Sequence, residues 1–201
     1  MNHTDFYNGS LTAEQFLFFE VRIAAQLYLD GKSVEEAIVQ IKRNNLFQYP
    51  TERQISRLTR ACYKRLQALD NDALVRDLAY APTWIAKQIN LYAIMRYNRL
   101  VWEFMVCLIG EKFRDQDFNF SRRDMDAFFT RLQAQDDAVA SWSEHTIKKI
   151  KSVLVRMLVE TEYLENWRDP TLNPVFLCEE LERGIRENHD IDVLPAFNCF
   201  R

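Results

Sequence analysis

The chain has 201 residues, 48% hydrophobic and 27% charged, the mix of a folded globular protein long enough to bury a real core. Four Gly and five Pro are too little punctuation for many strands and hairpins, so the composition predicts long helices joined by short turns. A net charge of −3 argues mildly against nucleic acid, but Cys62, Cys107, Cys178 and Cys199 form no CxxC pair, which implies reduced thiols and a cytoplasmic protein.

The opening residues lack the charged and apolar regions of a signal peptide. The most apolar window, residues 100–109, is about half the ~20 residues of a membrane span and contains Glu103, so it reads as a buried helix and no membrane partner is expected. Charge is polarised along the chain. Residues 42–65 carry Lys42, Arg43, Arg53, Arg57, Arg60, Lys64 and Arg65 against Glu52, and residues 160–192 are mostly acidic.

A first helix is predicted from a capping box at Thr12 and Gln15, with Leu11 and Phe16 as a staple, to a stop at Gly31. It is apolar nearly all round, the pattern of a helix at the centre of a bundle. The box Ser33-x-x-Glu36 opens a short helix with Val34, Ala37, Ile38 and Ile41 on one face, fraying at Asn44 and Asn45. After a turn, the box Thr51-x-x-Gln54 opens a long helix to about Leu69. Further helices are predicted at about 71–80, 83–97, 98–113, 121–135, 143–161 and 174–187. Breaks fall at Pro82, 115–119 and 136–141, and residues 163–173 have the look of a loop or small wing. Trp84, Trp102 and Trp142 read as core. The fold class is all-α, with an N-terminal lobe at 1–116 and a C-terminal lobe with an acidic tail at 117–201.

Residues 33–69 give the order of elements of a helix-turn-helix module. At 100° per residue Ile55, Leu58, Cys62, Leu66 and Leu69 form one stripe, and Arg53, Arg57, Arg60 and Lys64 cluster opposite. Thr51, Gln54 and Ser56 occupy the first turns, where short polar groups would meet base edges. Helix faces usually mix charge signs, and this one does not. The residues leave open nucleic-acid contact, a solvated face or a protein-binding helix.

A weaker copy spans about 121–161. Met125, Phe128, Phe129 and Leu132 line one helix and Ile147, Ile150, Leu154 and Met157 the next, with Lys148, Lys149 and Lys151 outward over a wide arc. Alone it reads as a solvated face.

No Gly-rich phosphate loop is present, and no cofactor is expected. His3, His145 and His189 lack zinc-ligand spacing to the cysteines. Ser143, Glu144 and His145 are consecutive on a helix, point apart and cannot form a relay. Asp115 with Asp117, and Asp136 with Asp137, sit in polar breaks and read as turn or cap residues rather than nuclease metal ligands.

The stretch NGSLTAEQFLFFEVRIAAQLYLDGKSVEEAIVQIKRNNLFQYPTERQISRLTRACYKRL resembles the BrxA family of bacteriophage exclusion (BREX) systems. The resemblance continues through Asn90-Leu91, Asn98-Arg99-Leu100, Glu103-Phe104, Ser141-Trp-Ser, Thr146-Ile-Lys-Lys-Ile-Lys and Arg156-Met-Leu, covering nearly the whole chain. It implies an all-helical phage-defence component with two helix-turn-helix units that binds double-stranded DNA without catalysis, beside other BREX components holding the enzymatic activities. It also lends weight to the second cationic helix as a backbone contact. The alternative is a protein–protein adaptor docking through the acidic C-terminal third.

Overall fold

Arg65 sets where the first helix begins. In the computed structural model, which describes residue 7, residues 9–166 and residues 168–200, this arginine is buried and donates to the carbonyls of Glu14 (2.7 Å), Gln15 (2.6 Å) and Phe16 (2.8 Å). Asn90 Nδ2 donates to Phe16 O as well, at 2.8 Å. Carbonyls so engaged hold residues 14–16 out of helix, Leu17 turns through a left-handed conformation (φ 53°), and α1 runs Phe18–Leu29. The predicted start at Thr12 is therefore early. Residues Gly9–Thr12 form a 3-10 turn in which Thr12 Oγ1 donates to Gly9 O, so its hydroxyl does not cap a helix there. The stop is as expected: Gly31 at φ 74° takes a Schellman turn, Lys32 N donating to Leu27 O and Gly31 N to Tyr28 O, both 3.0 Å.

α2 (Val34–Asn44) has the full Ser33–Glu36 capping box, and Asn45 in the left-handed region ends it. α3 (Glu52–Leu69) begins after an extended Thr51 that makes no side-chain cap bond, so the Thr51–Gln54 box does not form. α4 (Asp72–Tyr80) and α5 (Thr83–Tyr97) follow. The all-round buried helix is α5, where every residue from Ile89 to Arg96 is buried, rather than α1, where Phe19 stands 77% exposed. Trp84, in the first turn of α5, is 51% exposed and not core.

The helix predicted at 98–113 is α6 (Arg99–Phe104), a π segment (Met105–Ile109) and α7 (Gly110–Arg114) in continuous succession. The wide turn ends at Gly110, whose absent Cβ would lie 3.1 Å from the backbone of Ala196 in the closing 3-10 segment Ile191–Phe197. α8 (Arg122–Gln135) starts from a Ser121–Asp124 capping box. The break predicted at 136–141 holds a short helix, α9 (Asp137–Ala140), because Asp136 accepts the amide of Val139. α10 spans Glu144–Glu160.

Residues 163–173 make the small wing, with isolated bridges pairing Leu164 with Leu172 and Asn119 with Thr171. α11 (Glu179–Glu187) starts later than predicted, because Gln88 holds the preceding chain extended: its amide donates to Phe176 O (2.9 Å) and accepts from Cys178 N (3.1 Å).

One buried cluster runs from Tyr7 to Phe197 across both halves of the chain. The acidic C-terminal helix packs on α4 and α5, with Leu181, Gly184 and Ile185 buried. A Cβ at Gly184 would meet Leu74 at 2.5–2.7 Å, including its Cγ, which is not a freely moving end. Alanine is the better helix former by about 1 kcal/mol, yet overpacking costs about 1–3 kcal/mol. Gly184→Ala is expected to lower the thermal midpoint. A higher midpoint would mean that the α4–α11 seam yields freely.

Candidate nucleic-acid interface

α3 lies against α1, α2 and α5, and what it buries decides what it can show. After Glu52 its exposed residues are Arg53, Arg57, Arg60, Lys64 and Gln67, spaced three or four apart. That spacing makes a single stripe along the helix. Thr51 at its start is exposed, while Gln54 and Ser56 are half-buried beside it. Ser56 Oγ donates to Glu52 O at 3.0 Å, leaving its lone pairs free to accept.

The cations differ in what they already touch. Arg60 pairs with Glu35 of α2 at 3.0 Å, a solvent-exposed contact on the order of 0–1 kcal/mol that a phosphate could displace. Lys42 pairs with Glu52 at 3.2 Å at the foot of the stripe. Arg65 is 1% exposed and belongs to the core, although the sequence counts it among the basic residues. Without it, the exposed cations of this segment are Arg43 at the end of α2 and the α3 stripe.

The C-terminal part of α3 is clamped twice. Arg65 ties it to residues 14–16, as above. At the C-terminus, Arg96 Nη1 (2.7 Å) and Asn188 Nδ2 (2.8 Å) both donate to Leu69 O. A cation on a helix's terminal carbonyl satisfies an orphan acceptor and complements the macrodipole. Asp190 completes the group, 3.4 Å from Arg96 Nε and accepting from Tyr92 OH at 2.7 Å.

On α10, Lys148 and Lys149 are exposed, but Lys151 is half-buried. Its ammonium pairs with Asp126 of α8 at 2.6 Å and lies 5.1 Å from the centre of the Phe129 ring. The three lysines therefore divide, two facing solvent and one holding α8 to α10. Sequence periodicity missed Arg156, exposed on the same helix seven residues after Lys149, which donates to Gln15 Oε1 at 2.6 Å.

One acid interrupts the cations. Glu14 is half-buried, and its Oε2 has no hydrogen-bond partner. Burial raises its carboxyl above the usual range, against the opposing pull of Arg65, Lys64 and Arg57. A raised carboxyl pKa means the neutral form suits the fold, so stability is full at low pH and falls as pH rises through the folded-state value. Glu14→Gln should melt higher than wild type at neutral pH, with the gap closing under acid. A lower midpoint at pH 7 would show that the attraction to Arg65 outweighs burial.

The groups considered for chemistry have other partners. Ser143 Oγ accepts the Thr146 amide as an N-cap, 3.2 Å, rather than facing an imidazole. Asp117 takes Lys112 at 2.7 Å and the Asn119 amide at 3.0 Å, and Asp136 caps α9. His145 and His189 are exposed, and His3 lies outside the described residues. Among the described residues no three His, Cys, Asp or Glu side chains converge to hold a metal, and no helix is long and apolar enough to cross a membrane. Cys62 is wholly buried and its thiol is pushed up to about 12 by that burial, so it is unreactive near neutral pH.

The BrxA family profile matches residues 5–189. The chain is 32% identical over 160 residues to the BREX protein BrxA of Bacillus cereus, covering 80% of each chain. It is 24% identical to the BREX protein BrxA of Paramagnetospirillum magneticum, over 85% of each. With that of Escherichia coli it shares 23% identity over 92% of this chain and 87% of the other. Among solved structures it superposes on an uncharacterized protein from Magnetospirillum magneticum with a TM-score of 0.81, at 23% identity, over 95% of this chain and 97% of that one, a likeness of fold.

Proposed function

Because the chain belongs to the BrxA family of BREX phage-defence proteins, we propose that it is a non-catalytic, double-stranded-DNA-binding component of that system, reading α2 and α3 as a helix-turn-helix. The observation that carries this is the exposed face of α3: after Glu52, every exposed position is Arg53, Arg57, Arg60, Lys64 or Gln67. Cations in one row on a rigid helix suit the regular phosphates of a duplex. Thr51, Gln54 and Ser56 lie near the helix N-terminus, the end that a recognition helix presents to base edges. Because α3 is packed on three neighbours, it meets DNA along one narrow edge, a geometry that favours backbone positioning over deep base reading. α8 and α10 form the second, weaker unit, with Lys148 and Lys149 as its backbone contacts.

The non-catalytic part rests on shape and chemistry. A depression of about 640 Å³ is lined by α2 and Lys32 alone, so it has no opposing walls to enclose a substrate. A gel shift with a duplex of about three helical turns, with and without Mg²⁺, tests both parts. The duplex should be retarded and recovered intact in either condition. Cleaved DNA or no shift would contradict the reading.

A specific observation favours a second reading, an adaptor to other BREX components. Trp84 and Phe176 are 51% and 83% exposed and both adjoin Gln88, Trp84 one turn before it and Phe176 through its carbonyl. The acidic tail suits that role less well, since Asp190 is buried and Glu182 is paired with Arg186 at 2.7 Å.

A further inference from the structure

We infer that the cations of α3 and α10 belong to one continuous duplex-binding face, joined across Glu14 and Gln15 by Arg156; this rests on the DNA-binding reading above. The sequence presents two basic helices some eighty residues apart, without indicating whether they meet. The link is the non-helical segment ahead of α1. From one side, Arg65 of α3 holds the carbonyls of Glu14 and Gln15, and Arg57 and Lys64 act electrostatically on the Glu14 carboxyl. From the other, Arg156 of α10 donates to the Gln15 side chain at 2.6 Å. Glu14 and Gln15 are thus tied to α3 through Arg65 and to α10 through Arg156.

The α10 row has the same spacing as the α3 row. His145, Lys149, Ser152 and Arg156 are all exposed and follow at intervals of four, three and four, with Lys148 beside them. Arg156 therefore stands in the C-terminal half of α10, on the row of Lys149. The acids at the face are Glu14 within it, Glu52 and Glu35 at the α3 row, paired with Lys42 and Arg60, and Glu160, half-buried one turn beyond Arg156. Glu144 lies at the far end, in the first turn of α10. The Arg156 fork donates to a neutral amide and acts electrostatically on the Glu160 carboxyl, and a planar guanidinium so placed suits a phosphate.

A continuous face and two separate sites predict different length dependence. A tethered second site contributes only when the DNA spans both contacts. Adjacent rows contribute on any duplex long enough to cover α3, an 18-residue helix of about 27 Å, or less than one turn of B-DNA.

The experiment is fluorescence anisotropy with labelled duplexes of about one and about three turns, using wild type, Arg156→Gln, Arg156→Lys and Gln15→Ala, with thermal melts of each. Arg156→Gln should bind about fivefold to tenfold more weakly on both lengths. Arg156→Lys should keep most of the affinity, and Gln15→Ala, which removes the tether and keeps the cation, should bind like wild type. If Arg156→Gln binds like wild type, or loses affinity only on the longer duplex, the continuous face is wrong while the α3 reading stands. If Gln15→Ala loses as much as Arg156→Gln, Arg156 is a strut and not a contact. If wild type binds neither duplex, the DNA reading and this inference fall together.

Discussion

Arg57→Glu combined with Lys64→Glu should weaken duplex binding by on the order of a hundredfold, since each change removes a phosphate contact and sets a like charge in its place. The same variant should melt within about 2 °C of wild type, because surface substitutions are usually within ±0.5 kcal/mol and a chain of this size shifts by about 2–4 °C per kcal/mol. Both side chains are exposed, and both act on the carboxyl of Glu14. Reversal turns that attraction into repulsion, a small cost at a half-buried group. A collapse in stability would mean that the stripe is structural. Unchanged affinity with unchanged stability would leave the stripe a solvated face and move the functional weight to Trp84 and Phe176.

The second large effect concerns stability. Asp190→Ala removes the partner of Arg96 in a site where Asp190 is 4% and Arg96 7% exposed. An orphaned buried charge costs about 3–5 kcal/mol, far more than the net worth of the pair. Tyr92 also loses the acceptor of its hydroxyl. The midpoint should fall by about 10 °C. Asp190→Asn keeps an oxygen for Tyr92 and should lose less. Since Arg96 and Asn188 share Leu69 O, the loss also loosens the end of α3, and protection of its last-turn amides from hydrogen exchange should drop first. A midpoint within a degree of wild type would show that Arg96 is satisfied by Leu69 alone.

Local signals carried far into this structure. The Ser33–Glu36 box, the Gly31 stop, the bounds of α5 and the core stripe of α3 are consequences of spacing within a few residues, and each appears as the pattern implies. The failures share a cause. Thr12 has the form of a helix start, but its neighbours' carbonyls are taken by Arg65 and Asn90, 49 to 74 positions away in sequence. Trp84 reads as core by type, yet it sits at an end of α5 that nothing covers. α11 begins late because Gln88, on a distant helix, holds the strand before it.

The candidate site divides in the same way. The α3 stripe was legible because one helix contains it. Lys151 lies roughly 140° from Arg156 around the helix, on the flank of the apolar stripe, where Asp126 and Phe129 draw it to α8, while Arg156 shares the row of Lys149 and is received by Gln15. A cation near Gln15 becomes informative only once the Arg65 contacts bring that segment to α3.

The measurement that bears most directly on the central claim is the salt dependence of duplex affinity for wild type and for Arg57→Glu/Lys64→Glu, side by side. For wild type, log affinity should fall linearly with log salt, with a slope of about −0.9 for each phosphate engaged. The variant should show a slope shallower by about 1.8, the share of two lost contacts. Parallel lines, or wild-type binding indifferent to salt, would contradict a cationic DNA-binding face on α3.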